Sequence, residues 1–263
     1  MPELLHLETF GNPQNSPIIF LHGFMGSSAD WEAVISSLME DFYCVAVDLP
    51  GHGQSPLPSA DQIDSFPQVA EFILSQFHNR GLEKSFLVGY SLGGRLALYL
   101  ALHFPGHFRR VVLESASPGL ASREERIQRQ KQDEALIHRL ETGDFGEFLR
   151  SWYEQPLFRS LKAHPHFEKL LAKRMKNDPK KLARALRLLG SGWQPSLWDQ
   201  LKVNKIPLLL LAGEFDVKFQ KIAGQMKRLC PAAQTEIVEG AGHNIHWEQP
   251  ELFIKRIREF FTI

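Results

Sequence analysis

Residues 86–95 constrain this chain more than any other stretch. Phe86-Leu87-Val88 reads as a short buried strand, Gly89-Tyr90-Ser91-Leu92-Gly93 fits the pattern G-x-S-x-G, and Arg95-Leu96-Ala97-Leu98-Tyr99-Leu100 continues as a helix. A serine on so sharp a strand-to-helix turn takes up a strained, positive-φ backbone, and only small flanking residues avoid a clash. Gly89 and Gly93 supply them. Such a turn lifts the Ser91 hydroxyl to the carboxyl end of a sheet. It also aims the Leu92 N–H, at a helix N-terminus, towards developing negative charge. The five residues alone recur by chance; the strand before them and the helix after them give the motif its meaning.

The rest of the chain provides a sheet for that turn. Pro17-Ile18-Ile19-Phe20-Leu21-His22 and Tyr43-Cys44-Val45-Ala46-Val47 are continuous apolar runs, the mark of strands buried on both faces. Val111-Val112-Leu113 and the runs 208–211 and 235–238 repeat the signal, and Leu5, Leu7 and Thr9 alternate as a half-exposed first strand. Helical spacing lies between them, around Trp31, Val34, Ile35 and Leu38, around Val69, Phe72, Ile73 and Phe77, over 217–229, and through Phe253, Ile257 and Phe260. The alternation specifies an α/β fold with a mostly parallel, doubly wound sheet.

The alternation stops after Glu114. Over 122–178 only helices are expected: Ser122 with Glu125 forms a capping box, Phe145, Phe148, Leu149 and Trp152 fall at helical spacing, as do Phe167, Leu170 and Leu171, and Asp178-Pro179 opens the helix of Leu182, Ala185, Leu186 and Leu189. The expected organisation is a core over 1–117, a helical cap inserted over 118–195, and the second part of the core over 196–263. Formal net charge is zero, which argues against nucleic acid as a partner. The zero hides an imbalance: 16 Lys and Arg against 10 Asp and Glu over 118–195 give +6, leaving −6 elsewhere, which suits an anionic small molecule. Cys44 and Cys230 read as free thiols, Met1-Pro2-Glu3-Leu4 has no basic region before an apolar run, and no span is long enough for a bilayer. The expectation is a cytoplasmic protein without membrane insertion.

In open parallel sheets ligands bind beyond the carboxyl ends of the strands. Ser91 falls there, as do Asp216 (after Gly213-Glu214-Phe215), His243 (after Gly240-Ala241-Gly242) and the loop Gly23-Phe24. A serine hydroxyl is too weakly acidic to act alone at neutral pH. His243 can hold its proton, and Asp216 can fix the imidazole tautomer and stabilise the imidazolium. The N–H groups of Phe24 and Leu92 would then form an oxyanion hole. Alternatives stay open: Asp216 could only cap the helix beginning near Val217, Glu214 and Glu114 are rival acids, and His246 is a rival imidazole. His22 and His52, each beside a glycine, read as structural, and Asp48 as closing its own loop. No Cys/His spacing suits zinc, and Gly89 to Gly94 fit neither a dinucleotide nor a phosphate loop, so no metal or cofactor is expected.

Taken together, the residues resemble the α/β-hydrolase superfamily over essentially the whole chain. More narrowly, they are similar to the 2-succinyl-6-hydroxy-2,4-cyclohexadiene-1-carboxylate synthases, lyases of menaquinone and phylloquinone biosynthesis. That resemblance rests on residues 87–95, on Pro118-Gly119-Leu120 with Glu125, Arg126, Arg129 and Gln130, on Trp152-Tyr153-Glu154-Gln155-Pro156-Leu157-Phe158, on residues 213–219, and on Ala241-Gly242-His243-Asn244. It implies removal of a proton alpha to a succinyl ketone and loss of pyruvate, with Ser91 as a base and the hole holding an enolate. The implied substrate carries three carboxylates, which arginine forks pair bidentately. The resemblance assigns them to Arg95, Arg129 and Arg174, with Tyr90 and Trp152 nearby; each arginine could instead cover apolar surface with its stem. Trp193 and Gln194 receive no role. A serine esterase or carbon–carbon bond hydrolase would use the same atoms, and a receptor that kept the fold without turnover is the reading outside enzymes.

Overall fold

The apolar runs pair into one sheet in the computed structural model, which describes residues 4–59 and 61–262. The reading of Met1-Pro2-Glu3 falls outside the described residues. Seven strands, β1 (Leu7–Phe10), β2 (Pro17–Leu21), β3 (Tyr43–Val47), β4 (Ser85–Tyr90), β5 (Phe108–Glu114), β6 (Leu208–Gly213) and β7 (Ala233–Val238), stand in the order β1-β3-β2-β4-β5-β6-β7. β1 runs antiparallel to β3, and the other pairs are parallel. The chain leaves β2 for one side of the sheet and β4 for the other, so the crevice of a doubly wound sheet opens at their carboxyl ends. The loop after β2 and the turn after β4 both lie there.

The helices among the described residues are α1 (Glu32–Leu38), α2 (Phe66–His78), α3 (Leu92–His103), α4 (Arg123–Thr142), α5 (Phe145–Tyr153), α6 (Arg159–Ala163), α7 (Phe167–Arg174), α8 (Pro179–Leu189), α9 (Val217–Leu229), α10 (Ile245–Glu248) and α11 (Pro250–Thr262). Strand alternation decides which face each core helix covers. Ile19, Leu21 and Leu87 pack with Val69 and Ile73 of α2, Leu96 of α3 and Met226 of α9. Ile18, Phe20 and Val88 pack on the opposite face with Val34 and Leu38 of α1 and with Phe253 and Ile257 of α11.

Helices α4 to α8 lie between β5 and β6 and build a third apolar cluster, with Ile137, Leu140, Phe148, Leu170 and Leu182 at its centre. Met25, from the loop after β2, inserts its side chain into that cluster. Both expected caps are present: Ser122 and Glu125 bond reciprocally, and Asp178 accepts from the N–H groups of Lys180 and Lys181. Several boundaries differ from the sequence reading by a few residues, and three differences stand out. The helix expected at Trp31 begins as a 3-10 turn, Ser28–Trp31, before α1. β5 extends to Phe108, because Arg109 and Arg110 lay their guanidinium groups over Phe86 and Phe260 instead of ending the strand. The single turn α10 carries no periodic signal.

Candidate active site

Ser91 stands between β4 and α3 with φ 48° and ψ −105°, a conformation that stores roughly 1–3 kcal/mol of strain in a non-glycine residue. The surroundings hold it there: the Ser91 N–H donates to the Glu114 carbonyl at 2.9 Å, and the Gly93 N–H to the His22 carbonyl at 3.1 Å. A Cβ at Gly93 would overlap the Leu21 carbonyl, and one at Gly89 would press on Gly93. Two strands bring the partners. His243 Nδ1 lies 2.7 Å from Asp216 Oδ2, and its Nε2 3.2 Å from Ser91 Oγ. A carboxylate only accepts, so the proton sits on Nδ1 and leaves Nε2 to accept from the Ser91 hydroxyl. Asp216 also caps α9, since its Oδ1 accepts the Phe219 N–H at 3.2 Å. The two readings of Asp216 are therefore compatible, one oxygen for each.

The rivals are accounted for by their own partners. Glu114 accepts both the backbone N–H of His246 at 3.1 Å and its Nδ1–H at 2.7 Å. This second imidazole–carboxylate pair is buried and stacks on Trp31 at 4.2 Å, on the core side of Tyr90. Glu214 turns to the Gly240 N–H. His22 Nε2 accepts from the Leu49 N–H and its Nδ1–H donates to the Gly23 carbonyl, so it ties two strand-end loops together. Asp48 closes its loop on Gln54 and also accepts from Ser28. Burial, with His22 alongside, lowers His52 to about 3 and keeps it neutral at physiological pH.

The N–H groups of Phe24 and Leu92 donate to no protein acceptor among the described residues, which leaves both free for a ligand oxygen. Beside Ser91 is a chamber of about 30 Å³, walled by Phe24, Tyr90, Trp152, Tyr153, Phe158 and Arg174. Burial first, and then the charge of Glu114, raise the Tyr90 hydroxyl well above its ordinary pKa, so it stays a neutral donor. Arg174 does not reach the chamber as a free fork. Its Nη1 and Nη2 donate to Asp30 Oδ1 and Oδ2 at 2.8 and 2.7 Å, and its Nε–H to the Tyr153 hydroxyl at 3.3 Å. Burial pushes the Asp30 carboxyl up, but Arg174 outweighs it and holds the group below its usual value.

Arg95 and Arg129 do not line the chamber. Arg95 is buried in α3 and donates to Gln194 Oε1 at 3.3 Å, while the Arg129 Nε–H donates to Asp133 at 2.7 Å. Burial, and then the neighbouring charge of Arg129, push Arg95 down to about 10. The structure thus brings Ser91, Asp216, His243, Phe24, Leu92, Tyr90, Trp152 and Arg174 to one place, with Arg95 and Arg129 in a second cluster. Three polar residues escaped the sequence reading. Asp30 holds Arg174, and Gln194 links Arg95 to the Ser117 carbonyl. Glu248 accepts the Gly242 and Asn244 N–H groups at 3.0 and 3.1 Å, gripping the turn on both sides of His243. A carboxylate five residues beyond His243 was the one available signal, and periodicity does not register it.

Residues 16–250 match the family described as alpha/beta hydrolase fold, and this chain belongs to it. Among curated proteins, it is 34% identical over 254 residues to the putative 2-succinyl-6-hydroxy-2,4-cyclohexadiene-1-carboxylate synthase of Bacillus subtilis (strain 168), covering 96% of this chain and 92% of that one. It is 36% identical over 249 residues to the synthase of the same name from Serratia proteamaculans (strain 568), covering 93% and 92%. These identities make it a member of the 2-succinyl-6-hydroxy-2,4-cyclohexadiene-1-carboxylate synthase family. Protein PHYLLO, chloroplastic, of Arabidopsis thaliana is 35% identical over 266 residues, covering 95% of this chain, which spans only 16% of that protein. The solved structure of MenH from S. aureus superimposes with a TM-score of 0.92 at 32% identity, covering 98% of both chains.

Proposed function

We propose that this chain is a lyase that eliminates pyruvate from 2-succinyl-5-enolpyruvyl-6-hydroxy-3-cyclohexene-1-carboxylate to give 2-succinyl-6-hydroxy-2,4-cyclohexadiene-1-carboxylate, a cytoplasmic step towards menaquinone or phylloquinone. Ser91, His243 and Asp216 act as a catalytic triad. Ser91 passes its proton to His243 Nε2 and takes the proton alpha to the succinyl carbonyl. The C–H electron pair becomes an enolate, whose oxygen lies between the Phe24 and Leu92 N–H groups. As the carbonyl re-forms, the ring alkene shifts, the bond to the enolpyruvyl oxygen breaks, and the departing enolate recovers a proton. Asp216 steadies the imidazolium throughout.

The observation that carries this reading is the Ser91–His243–Asp216 relay, at 3.2 and 2.7 Å, ending in a chamber with two free N–H donors. Tyr90 and Trp152 supply the substrate contacts there, while Arg174 stays in the wall on Asp30 and Tyr153. Arg95 and Arg129, the latter paired with Asp133, form a second basic cluster that a further substrate carboxylate would reach. Residues 118–195 serve as the cap on a core of 1–117 and 196–263. Small-molecule sites usually measure about 300–1,000 Å³, so a chamber of about 30 Å³ calls for the cap to lift when substrate arrives. The test is purified protein mixed with the enolpyruvyl substrate and followed by coupled detection of pyruvate. Rapid release is expected, and no release would refute the reading. Burst kinetics with activated esters would point to a serine esterase instead.

A further inference from the structure

The loop that carries Phe24 is fastened from the side of the helical segment. Met25, next to Phe24, has φ 63°, a left-handed conformation that costs an L-residue free energy and persists only where neighbours enforce it. The turn is closed within the core loop by the Gly26 N–H, which donates to the Gly23 carbonyl at 3.0 Å, and two contacts from 118–195 brace Met25 inside it. The Met25 side chain, fully buried, is a member of the apolar cluster around Phe148, Leu170 and Leu182. Its carbonyl accepts the Asn177 Nδ2–H at 2.9 Å, and the same Nδ2 donates to the Arg174 carbonyl at 3.0 Å. Asn177 thus joins the end of α7 to the Met25–Gly26 peptide, two peptide units past the one that carries the Phe24 N–H.

Two further contacts brace the loop along its length. Lys173 Nζ donates to the Ala29 carbonyl at 2.9 Å, and Arg174 forks onto Asp30. On the sheet side the Gly23 carbonyl accepts the Gly26 N–H and His22 Nδ1–H, so the N–H half of the Met25–Gly26 peptide is held there, while among the described residues its carbonyl half is held by Asn177. We infer that Asn177 is a positioning residue for the oxyanion hole, so that docking of the helical segment completes the hole by pinning Met25 and thereby orienting the Phe24 N–H. This rests on the function proposed above for Phe24. Substrate enclosure and enolate stabilisation are then one event: with the helical segment lifted, the Met25 peptide relaxes and one of the two donors is lost.

The test compares the full-length wild type with Asn177→Ala and with Asn177→Asp, which keeps the size but removes the donor. Deleting one hole donor outright costs about 10²–10³ in kcat, so misaligning one should cost about tenfold. Pyruvate release well below the melting temperature should show kcat reduced about tenfold in both variants, with KM changed less than threefold. A lower melting temperature with kcat intact, or a change confined to KM, would overturn the inference. Phenylboronic acid supplies a readout free of the natural substrate, because its tetrahedral adduct on Ser91 places an oxygen in the hole. Its Kd should rise about tenfold in the variants, and an unchanged Kd overturns the inference. Should the wild type release no pyruvate yet bind the boronate, the proposed reaction fails while the boronate still decides the role of Asn177. A wild type that does neither removes the hole and this inference with it.

Discussion

Arg174 and Asp30 offer the sharpest quantitative test of how the helical segment is held to the core. Their side chains are 4% and 1% exposed, so solvent screens them little. Charge centres about 4 Å apart at an effective dielectric of about 20 attract by about 4 kcal/mol. Mutational experience agrees: removing one partner of a buried pair costs about 3–5 kcal/mol, because the other is left buried and uncompensated. Asp30→Asn and Arg174→Met should each therefore destabilise the protein by about 3 kcal/mol or more in urea unfolding at pH 7. The double variant leaves no orphaned charge and should recover much of the loss, giving a coupling energy of about 3 kcal/mol. The folded Asp30 carboxyl lies below its unfolded value, so its contribution is present above the ordinary carboxylate range and lost only as pH falls through the folded value. The coupling should accordingly be equal at pH 7 and pH 5. A coupling below about 1 kcal/mol would mean that the pair behaves as a surface bridge, and the argument from burial would fail.

Asp216→Asn should separate the two duties of that residue, since asparagine caps a helix as well as aspartate but disfavours the imidazole tautomer that Ser91 needs. Pyruvate release should fall by about 10³–10⁴ while the melting temperature stays within a few degrees; equal losses of both would refute the division. His52 is buried and neutral, lowered to about 3 against an unfolded value near 6.5, so its stabilising contribution is complete above that unfolded value and shrinks as pH drops below it. Between pH 7 and pH 5 the wild type should lose about 2 kcal/mol more than His52→Gln, and equal losses in urea titrations would show that His52 takes up no proton on unfolding. Gly93→Ala drives a methyl into the Leu21 carbonyl and should cost about 3 kcal/mol, seen as a fall of roughly 6–12 °C in Tm; an unchanged Tm would mean that the turn is looser than drawn.

The motif around Ser91 and the parallel strands were legible because their signals are local. A glycine on each side of a serine, or five apolar residues in a row, states its own structure. Asp216 and His243 were legible because strand ends converge on one rim, a property of any parallel sheet, even though 152 residues separate Ser91 from His243. The state of the arginines was not legible. Arg174 occupies the apolar side of α7 as its spacing suggests, but its partner Asp30 lies 144 positions away in a 3-10 turn. No periodicity links the two. Arg129 finds Asp133 one helical turn on, and that i, i+4 pairing was within reach of the sequence. Glu248 and Gln194 were missed for a similar reason: a polar side chain that grips backbone looks, in a sequence, like any other polar side chain.

The shut chamber beside Ser91 has a kinetic corollary. For the reaction proposed above, a space with room for about one water does not admit a cyclohexene bearing three acid groups, so each cycle would contain an unbolting and a rebolting of the helical segment against the rim. Friction with the solvent then enters the turnover rate: sucrose thick enough to halve diffusion should slow a cycle limited by that movement in proportion, and leave one limited by bond-breaking untouched.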